Sequence, residues 1–474
     1  MTGWKTGNFA ARVPARRWRV AATLVLLAGM AAMPALPVAG QARAAEFEDL
    51  DWSVKGDLSA KTMVDVKRES DLQARQALDG RARIENVLRF GNSGGRIGLH
   101  GEARYEAFDT RESGAWSFLL REAYAEIRRE TFTLGIGRQI VTWGKLDDLM
   151  ILDQLSPQDF RWFALYDKQD RKIPVFMLTA GYFGPRYGLE AVVIPSFEPS
   201  EADLFGTDWA VFGRLKEQPW PEPMRGMVEA IRVDDRQAKG EAEGGIRLRA
   251  TEGRTDYALY YMTYFDRFPA LREYTPVGRL TKQFLFAPGL ETLTALAAAR
   301  PTPLDLTLDA GRERVHAMGM DFESTAGSYG LRGELGFFDD LPYTRARDLA
   351  YVREKTLAAG MGVDYTTIHN LYWNVQFIAT RILSNETMAG AESFSQEIVF
   401  NMNREFLMGD LRLEFSGLYQ IAEGGWMARP EATYKARPGL DLVCGLFLLG
   451  GDRDSLFGRY RHKDMLYSQI RYQF

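Results

Sequence analysis

The 474-residue chain carries 59 Lys and Arg against 63 Asp and Glu, a formal net charge of −4, with 12% aromatic residues, 45 glycines and one cysteine. That balance argues against nucleic-acid binding through an overall positive field, and the lone Cys444 excludes an intramolecular disulfide framework or a multi-cysteine metal site. A mean hydropathy of −0.26 excludes a bundle of membrane-spanning helices.

The first element is a secretion signal. Arg12, Arg16, Arg17 and Arg19 precede an apolar run from Val20 to about Ala32. Pro34 and Pro37 then break any helix, and Ala42-Arg43-Ala44 offers a small-x-small cleavage site. The run is too short for a spanning helix, which needs ~20 apolar residues. Arg16-Arg17 is a twin-arginine pair, but the residues after it do not fit that export route. Residues 1–44 hold six basic residues and no acid, so cleavage moves the formal charge from −4 to −10. The remaining stretch, 45–474, shows no compositional break and reads as a single domain.

That domain alternates. Ile97, Leu99, Gly101, Ala103, Tyr105 and Ala107 share one face, and His100, Glu102, Arg104 and Glu106 the other. Leu357, Ala359, Met361, Val363 and Tyr365 oppose Ala358, Gly360, Gly362 and Asp364. Leu411, Leu413, Phe415, Gly417, Tyr419 and Ile421 oppose Asp410, Arg412, Glu414, Ser416 and Gln420. A period of two is the mark of a strand. Tight turns rich in Gly, Asn and charge fall near 91–95, 129–130, 184–186, 252–254, 326–328, 366–370 and 436–439. Long polar connections fall near 142–173, 197–241 and 267–312. Short turns alternating with long loops are the asymmetry of a transmembrane antiparallel β-barrel, here of roughly 16–18 strands, with some loops folded into the lumen.

In this phasing the charged residues face inward: Glu102, Arg104, Glu106, Glu122, Glu126, Arg247, Arg249, Arg332, Glu334, Arg412, Glu414 and Arg471. An Arg or Lys on the lipid side costs ~2–4 kcal/mol at midplane, which supports the inward assignment. These residues form cross-lumen ion pairs that stiffen the wall, or a pore lining whose field acts on polar or anionic solutes; both hold together.

The most distinctive internal segment is Gly137-Arg-Gln-Ile-Val-Thr-Trp-Gly144, followed by Lys145, Asp147 and Asp148 and then by Asp153 to Arg161. It reads as a loop turning back toward the pore, with a helix start at Ser156-Pro157-Gln158-Asp159. Arg138 and Arg161 are candidates for charging the constriction, along with Lys145, Asp147 and Asp148; alternatively Arg138 pairs with a loop aspartate such as Asp147. Residues 290–299 form a short alanine-rich helical run that reads as a lid or plug. Cys444 lies in an apolar run, buried or lipid-facing.

The chain ends on a strand. Phe474, Tyr472, Ile470, Ser468 and Leu466 alternate with Gln473, Arg471, Gln469 and Tyr467. An aromatic-terminated strand resembles the closing strand of bacterial outer-membrane barrels, which implies Tyr472 and Phe474 as an assembly signal read by the barrel assembly machinery.

Gly137-Arg-Gln with Trp143-Gly144, Pro157-x-Asp-x-Arg161, Ile173-Pro174 and Ile194-Pro-Ser-Phe-Glu-Pro199 resemble an uncharacterised family of proteobacterial outer-membrane barrels. That family is a domain of unknown function often encoded beside RND exporters of the MMPL kind. The Gly-Arg-Gln element is also similar to alginate-export porins. The resemblance implies an outer-membrane location among lipid and lipopolysaccharide, no cofactor, and an RND-type exporter as a candidate partner. A monomer is expected, since no flattened apolar wall marks a trimer.

Three function classes result: a porin-like channel, an enzyme, and a plugged barrel that serves a partner or exporter. The four histidines, His100, His316, His369 and His462, do not form a catalytic pattern, and His100 and His316 read as lumen-facing. No hydrolase, metalloprotease or nucleotide-binding fingerprint is present. Asp147, Asp148 and Asp153 lack the spacing of a calcium loop. The channel reading is the one the pattern favours.

Overall fold

The computed structural model describes residues 50–67, 69–90, 94–234, 241–268 and 270–474. The expected signal segment and the turn near 91–95 therefore lie wholly or largely outside the described residues. In chain order the strands are β1 (Leu50–Asp65), β2 (Gln76–Phe90), β3 (Gly95–Ala107), β4 (Ala115–Arg128), β5 (Phe132–Gln139), β6 (Val175–Phe183) and β7 (Tyr187–Ile194). Next come β8 (Arg232–Asp234), β9 (Glu243–Glu252), β10 (Thr255–Phe265), β11 (Ala270–Glu273), β12 (Thr307–Gly311), β13 (Arg314–Ala326) and β14 (Tyr329–Thr344). The rest are β15 (Tyr351–Thr366), β16 (Leu371–Ile382), β17 (Phe394–Phe406), β18 (Leu411–Gln420), β19 (Trp426–Arg437), β20 (Leu440–Gly450) and β21 (Met465–Gln473).

All but β8, β11 and β12 form one 18-stranded antiparallel sheet in which each strand pairs with its chain neighbours. β21 pairs back onto β1, Asp57 opposite Gln473, so the cylinder closes. Closure leaves no free edge, as a hydrocarbon surround requires.

The faces divide as the alternation predicts. On β21, Leu466 is exposed outward, whereas Tyr467 is buried inward and donates its hydroxyl to Glu431 at 2.6 Å. Leu357 and Met361 on β15 face out, while Ala358 is buried inside. Cys444 is exposed on the outward face beside Leu442. Between the strands, α1 (Lys168–Arg171) interrupts the β5–β6 loop, and α2 (Met224–Ala230), α3 (Gly278–Phe286) and α4 (Leu290–Ala298) lie in the next two long loops.

These two loops fold together into a cap. β8, β11 and β12 make a three-stranded sheet, and Val228, Leu271, Phe284, Leu293, Leu296 and Leu308 pack into their own buried core. The helical run near residue 290 is therefore part of a packed external cap. Lys282 ties the cap to the β14–β15 loop by donating to the Leu271 and Leu349 carbonyls at 2.6 and 2.5 Å. Burial pushes its ammonium below the ordinary lysine range.

Candidate functional site

The β5–β6 connection, residues 140–174, enters the lumen and touches two different arcs of the wall. In its first limb Trp143, Leu146, Ile151, Leu152 and Leu155 are buried against inward residues of β6, β7, β10 and β13–β17, among them Met177, Met262, Ala317 and Val399. The wall makes room with glycine. A Cβ at Gly360 would stand 2.5 Å from Leu146 Cδ1 and 3.3 Å from Ile151 Cδ1, and one at Gly245 would stand 2.7 Å from Trp143. The small inward residues of β15 are thus a seat for the loop.

A carboxylate fixes this limb. Glu334 on β14 is 4% exposed and accepts four backbone N–H groups, from Lys145 and Leu146 on Oε1 at 2.5 and 2.7 Å and from Ile151 and Leu152 on Oε2 at 2.7 and 3.0 Å. Hydrogen bonds to a charged acceptor are the strong ones, and here they satisfy backbone groups that a buried loop would otherwise leave bare. Gly144 has a positive φ of 101°, and a Cβ there would meet the same carboxylate at 2.6 Å.

The second limb crosses to β1–β3 and β20–β21. Trp162, Leu165 and Tyr166 are buried with Met63, Val443, Phe447, Met465 and Tyr467. Around them runs an ion-pair network. Asp79 bonds Arg81 at 2.7 Å, Arg104 at 3.1 Å and the Tyr166 hydroxyl at 2.6 Å. Glu106 accepts from Trp162 Nε1 at 2.5 Å and from Arg161 at 3.2 Å, and Asp170 meets Arg83 at 2.9 Å. Burial alone would raise the Asp159 carboxyl, but the hydrogen bond and charge of Arg161, with Arg104 nearby, outweigh it and hold the group below the usual range.

Along β17–β19 the contact is sparse and polar. Asp148 meets Asn401 at 2.5 Å and Asp167 meets Arg429 at 2.7 Å. Arg171, partly buried, lies near Asp167, Asp148 and Arg429, and Glu414 is 2.8 Å from Arg412. The Asp167 side chain is 68% exposed and that of Arg412 44%. This arc, with both signs of charge in contact with water, is the candidate constriction.

The sequence-derived candidates divide accordingly. Arg412 and Glu414 lie on this arc, their side chains 44% and 30% exposed. Asp148 faces it from the loop. Lys145 bonds Glu323 at 2.6 Å, and Asp147 binds Arg332 at 2.5 Å with Asn374 at 2.9 Å. Glu102, Arg104 and Glu334 are corrected from open pore lining to buried groups: Glu334 and Arg104 bond the loop directly, at Leu146 and Asp159, and Glu102 holds Arg83, which meets Asp170.

Arg138 is corrected as well. Its register pairs it with Phe176, on the outward phase of Leu134 and Ile136, and its partner is Glu198 at 2.8 Å, not Asp147. That ion pair joins the Gly-Arg-Gln element to the Ile-Pro-Ser-Phe-Glu-Pro element. The expected helix start at Ser156 is absent: its hydroxyl bonds the Val141 N–H and carbonyl, and Gln158 and Asp159 sit in isolated bridges. His316 points outward beside Met318 and meets the Tyr261 hydroxyl at 3.0 Å, not the lumen. Asp147, Asp148 and Asp153 do not converge, since Asp153 is taken by Lys172 at 2.7 Å. Asp167, Arg171 and Arg429 carried no motif; only the outside-in alternation of β19 pointed to Arg429.

Above the loop, between the cap and the β20–β21 connection, lies a cavity of about 1360 Å³. Arg161 lines it while also reaching Glu106 in the wall.

A closed antiparallel cylinder with an apolar exterior, short turns at one end, long loops at the other and an infolded constriction loop defines an outer-membrane β-barrel of porin architecture. The chain belongs to the family described as "Protein of unknown function (DUF1302)", which matches residues 74–436. Comparison with curated proteins yields no match. Among solved structures it is similar to a mutant of Rh. blastica porin, at 10% identity over 90% of this chain and 100% of that one with a TM-score of 0.40. Salmonella typhi OmpF in complex with daunomycin aligns at 10% identity over 89% and 97% with a TM-score of 0.41. Acinetobacter baumannii OccAB1 aligns at 10% identity over 92% and 99% with a TM-score of 0.49.

Proposed function

We propose that the protein is a selective outer-membrane channel that passes small polar or anionic solutes between residues 140–174 and the β17–β19 wall. The observation that carries this reading is the charge along that arc, where the water-exposed Asp148, Asp167 and Arg412 lie among the partly buried Arg171, Glu414 and Arg429. A scaffold with no conduit has no need of solvated charge at its narrowest level, whereas a channel uses it to replace solute hydration. Liposome swelling with a neutral pentose, a hexonate anion and an amino-sugar cation tests it. The expected order is pentose and hexonate ahead of the cation; liposomes that swell no faster than protein-free ones contradict it.

A second reading, an outer component of an export system with a gated lumen, is favoured by the loop's attachment to two wall arcs and by the packed external cap. It differs in requiring a partner, such as an RND-type exporter, before solute passes. In either case we take the outward-facing Tyr472 and Phe474, whose rings lie 6.2 Å apart, as the segment the assembly machinery reads.

A further inference from the structure

The external cavity has a composition at odds with its surroundings. The protein is net acidic, yet the cavity is lined by six Lys and Arg against four Asp and Glu. Much of this charge is internally committed: Asp208 bonds Arg214 at 2.8 Å and Lys463 at 2.7 Å, and Glu201 meets Arg161 at 3.1 Å. Arg453 and Arg459, both exposed in the β20–β21 connection, make no ion pair or side-chain hydrogen bond with any described residue.

The cap side of the same cavity is apolar. Val211, Phe268 and Phe286 line it and are 46%, 48% and 42% exposed, in the long loops rather than in the strands of the wall. Exposed apolar and aromatic surface gathered in a concave space marks a binding site. The volume exceeds the roughly 300–1,000 Å³ of ordinary ligand pockets, leaving room for a bulky ring system and its water.

We infer that this cavity is a capture site for amphipathic organic anions, taking a carboxylate or sulfonate on Arg453 and Arg459 and the apolar body on Phe268 and Phe286. Guanidinium groups bind carboxylates through paired donors, and the two aromatic rings contribute apolar area that a fully hydrated anion cannot use. Arg161 places the site directly beside the loop that crosses the lumen. The inference deepens the channel reading by naming a substrate class, but the binding itself is measured without conduction.

The test uses the full chain in lipid nanodiscs, titrated with fluorescent 2-naphthoate against empty nanodiscs, with naphthalene-2-carboxamide as the neutral isostere and acetate as the anion without a ring. Saturable naphthoate binding, at least about tenfold tighter than either comparison ligand, is expected. Arg453→Ala with Arg459→Ala, and separately Phe286→Ser, each weaken it by about tenfold or more, while retained heat-modifiable mobility shows that the barrel is intact. Absent binding in the wild type, equal affinity for the carboxamide, or an unchanged double variant overturns the site. Binding without conductance contradicts the channel and leaves the site standing; conductance without binding does the reverse.

Discussion

The Glu334 carboxylate accepts the Leu146 backbone N–H at 2.7 Å, across 188 positions of sequence. This bond and its three companions fasten the first limb of the loop to β14, satisfying backbone N–H groups that burial would otherwise leave bare. Glu334→Gln keeps the shape but leaves one oxygen to do the work of two. Each N–H left bare costs about 1–3 kcal/mol. We expect faster proteolysis within residues 143–155 and a larger, noisier single-channel conductance. Unchanged cleavage and conductance contradict the anchor role.

Gly360 tests the same seat from the wall side. Gly360→Val drives a side chain into Leu146 and Ile151, and overpacking of this kind costs about 1–3 kcal/mol. The same Cβ would stand 3.2 Å from Ile378 Cγ1 on β16, but its nearest contact, at 2.5 Å, is Leu146 of the loop, so the loop is expected to give way before the sheet does. Conductance rises while heat-modifiability of the barrel persists; loss of the folded barrel itself contradicts the claim that Gly360 serves the loop.

Charge at the passage should set ion preference. Arg171→Ala combined with Arg429→Ala lowers the anion-to-cation permeability ratio by at least about twofold, read from the reversal potential in a salt gradient. Arg138→Ala, on the outward phase and paired with Glu198, leaves it unaltered. A shift with Arg138 and none with the Arg171 and Arg429 pair contradicts the assigned position of the constriction.

The cap carries a pH dependence. Asp266, in the β10–β11 connection, is pushed up to about 6 by burial, against the opposing Phe268 N–H bond and the charges of Arg312 and Arg267. A carboxyl raised in the fold above its unfolded value destabilises the fold where it is ionised, above about pH 6, and that cost fades as pH falls toward 4. Asp266→Asn therefore slows hydrogen exchange in cap peptides by about tenfold or more at pH 8 and by little at pH 4.5. Equal slowing at both values contradicts the assignment.

Much of the wall is legible because hydrocarbon tolerates only one pattern. The runs at 97–107, 357–365 and 411–421 alternate for that reason, and the long connection expected at 142–173 is found at 140–174. The β17–β18 turn escaped notice because Leu407 and Met408, both at positive φ, occupy positions where glycine or asparagine is usual. Glu334 and Glu414 share the same inward phase in sequence; which is covered and which meets water depends on a loop about 190 residues from Glu334. Ser156 carries the local signature of a helix start, and the competing bonds to Val141 across the loop override it. Gly360 and Gly362 read as inward and small, but the side chains they accommodate could be seen only in the fold.

The central claim is that water runs past an anchored loop inside a closed barrel. Single-channel recording of the purified wild-type protein in planar bilayers tests it most directly. Discrete, ohmic steps are predicted, smaller than those of the Glu334→Gln variant under the same salt. A wild-type protein that inserts with its heat-modifiable barrel intact, yet gives no steps at any voltage, contradicts it.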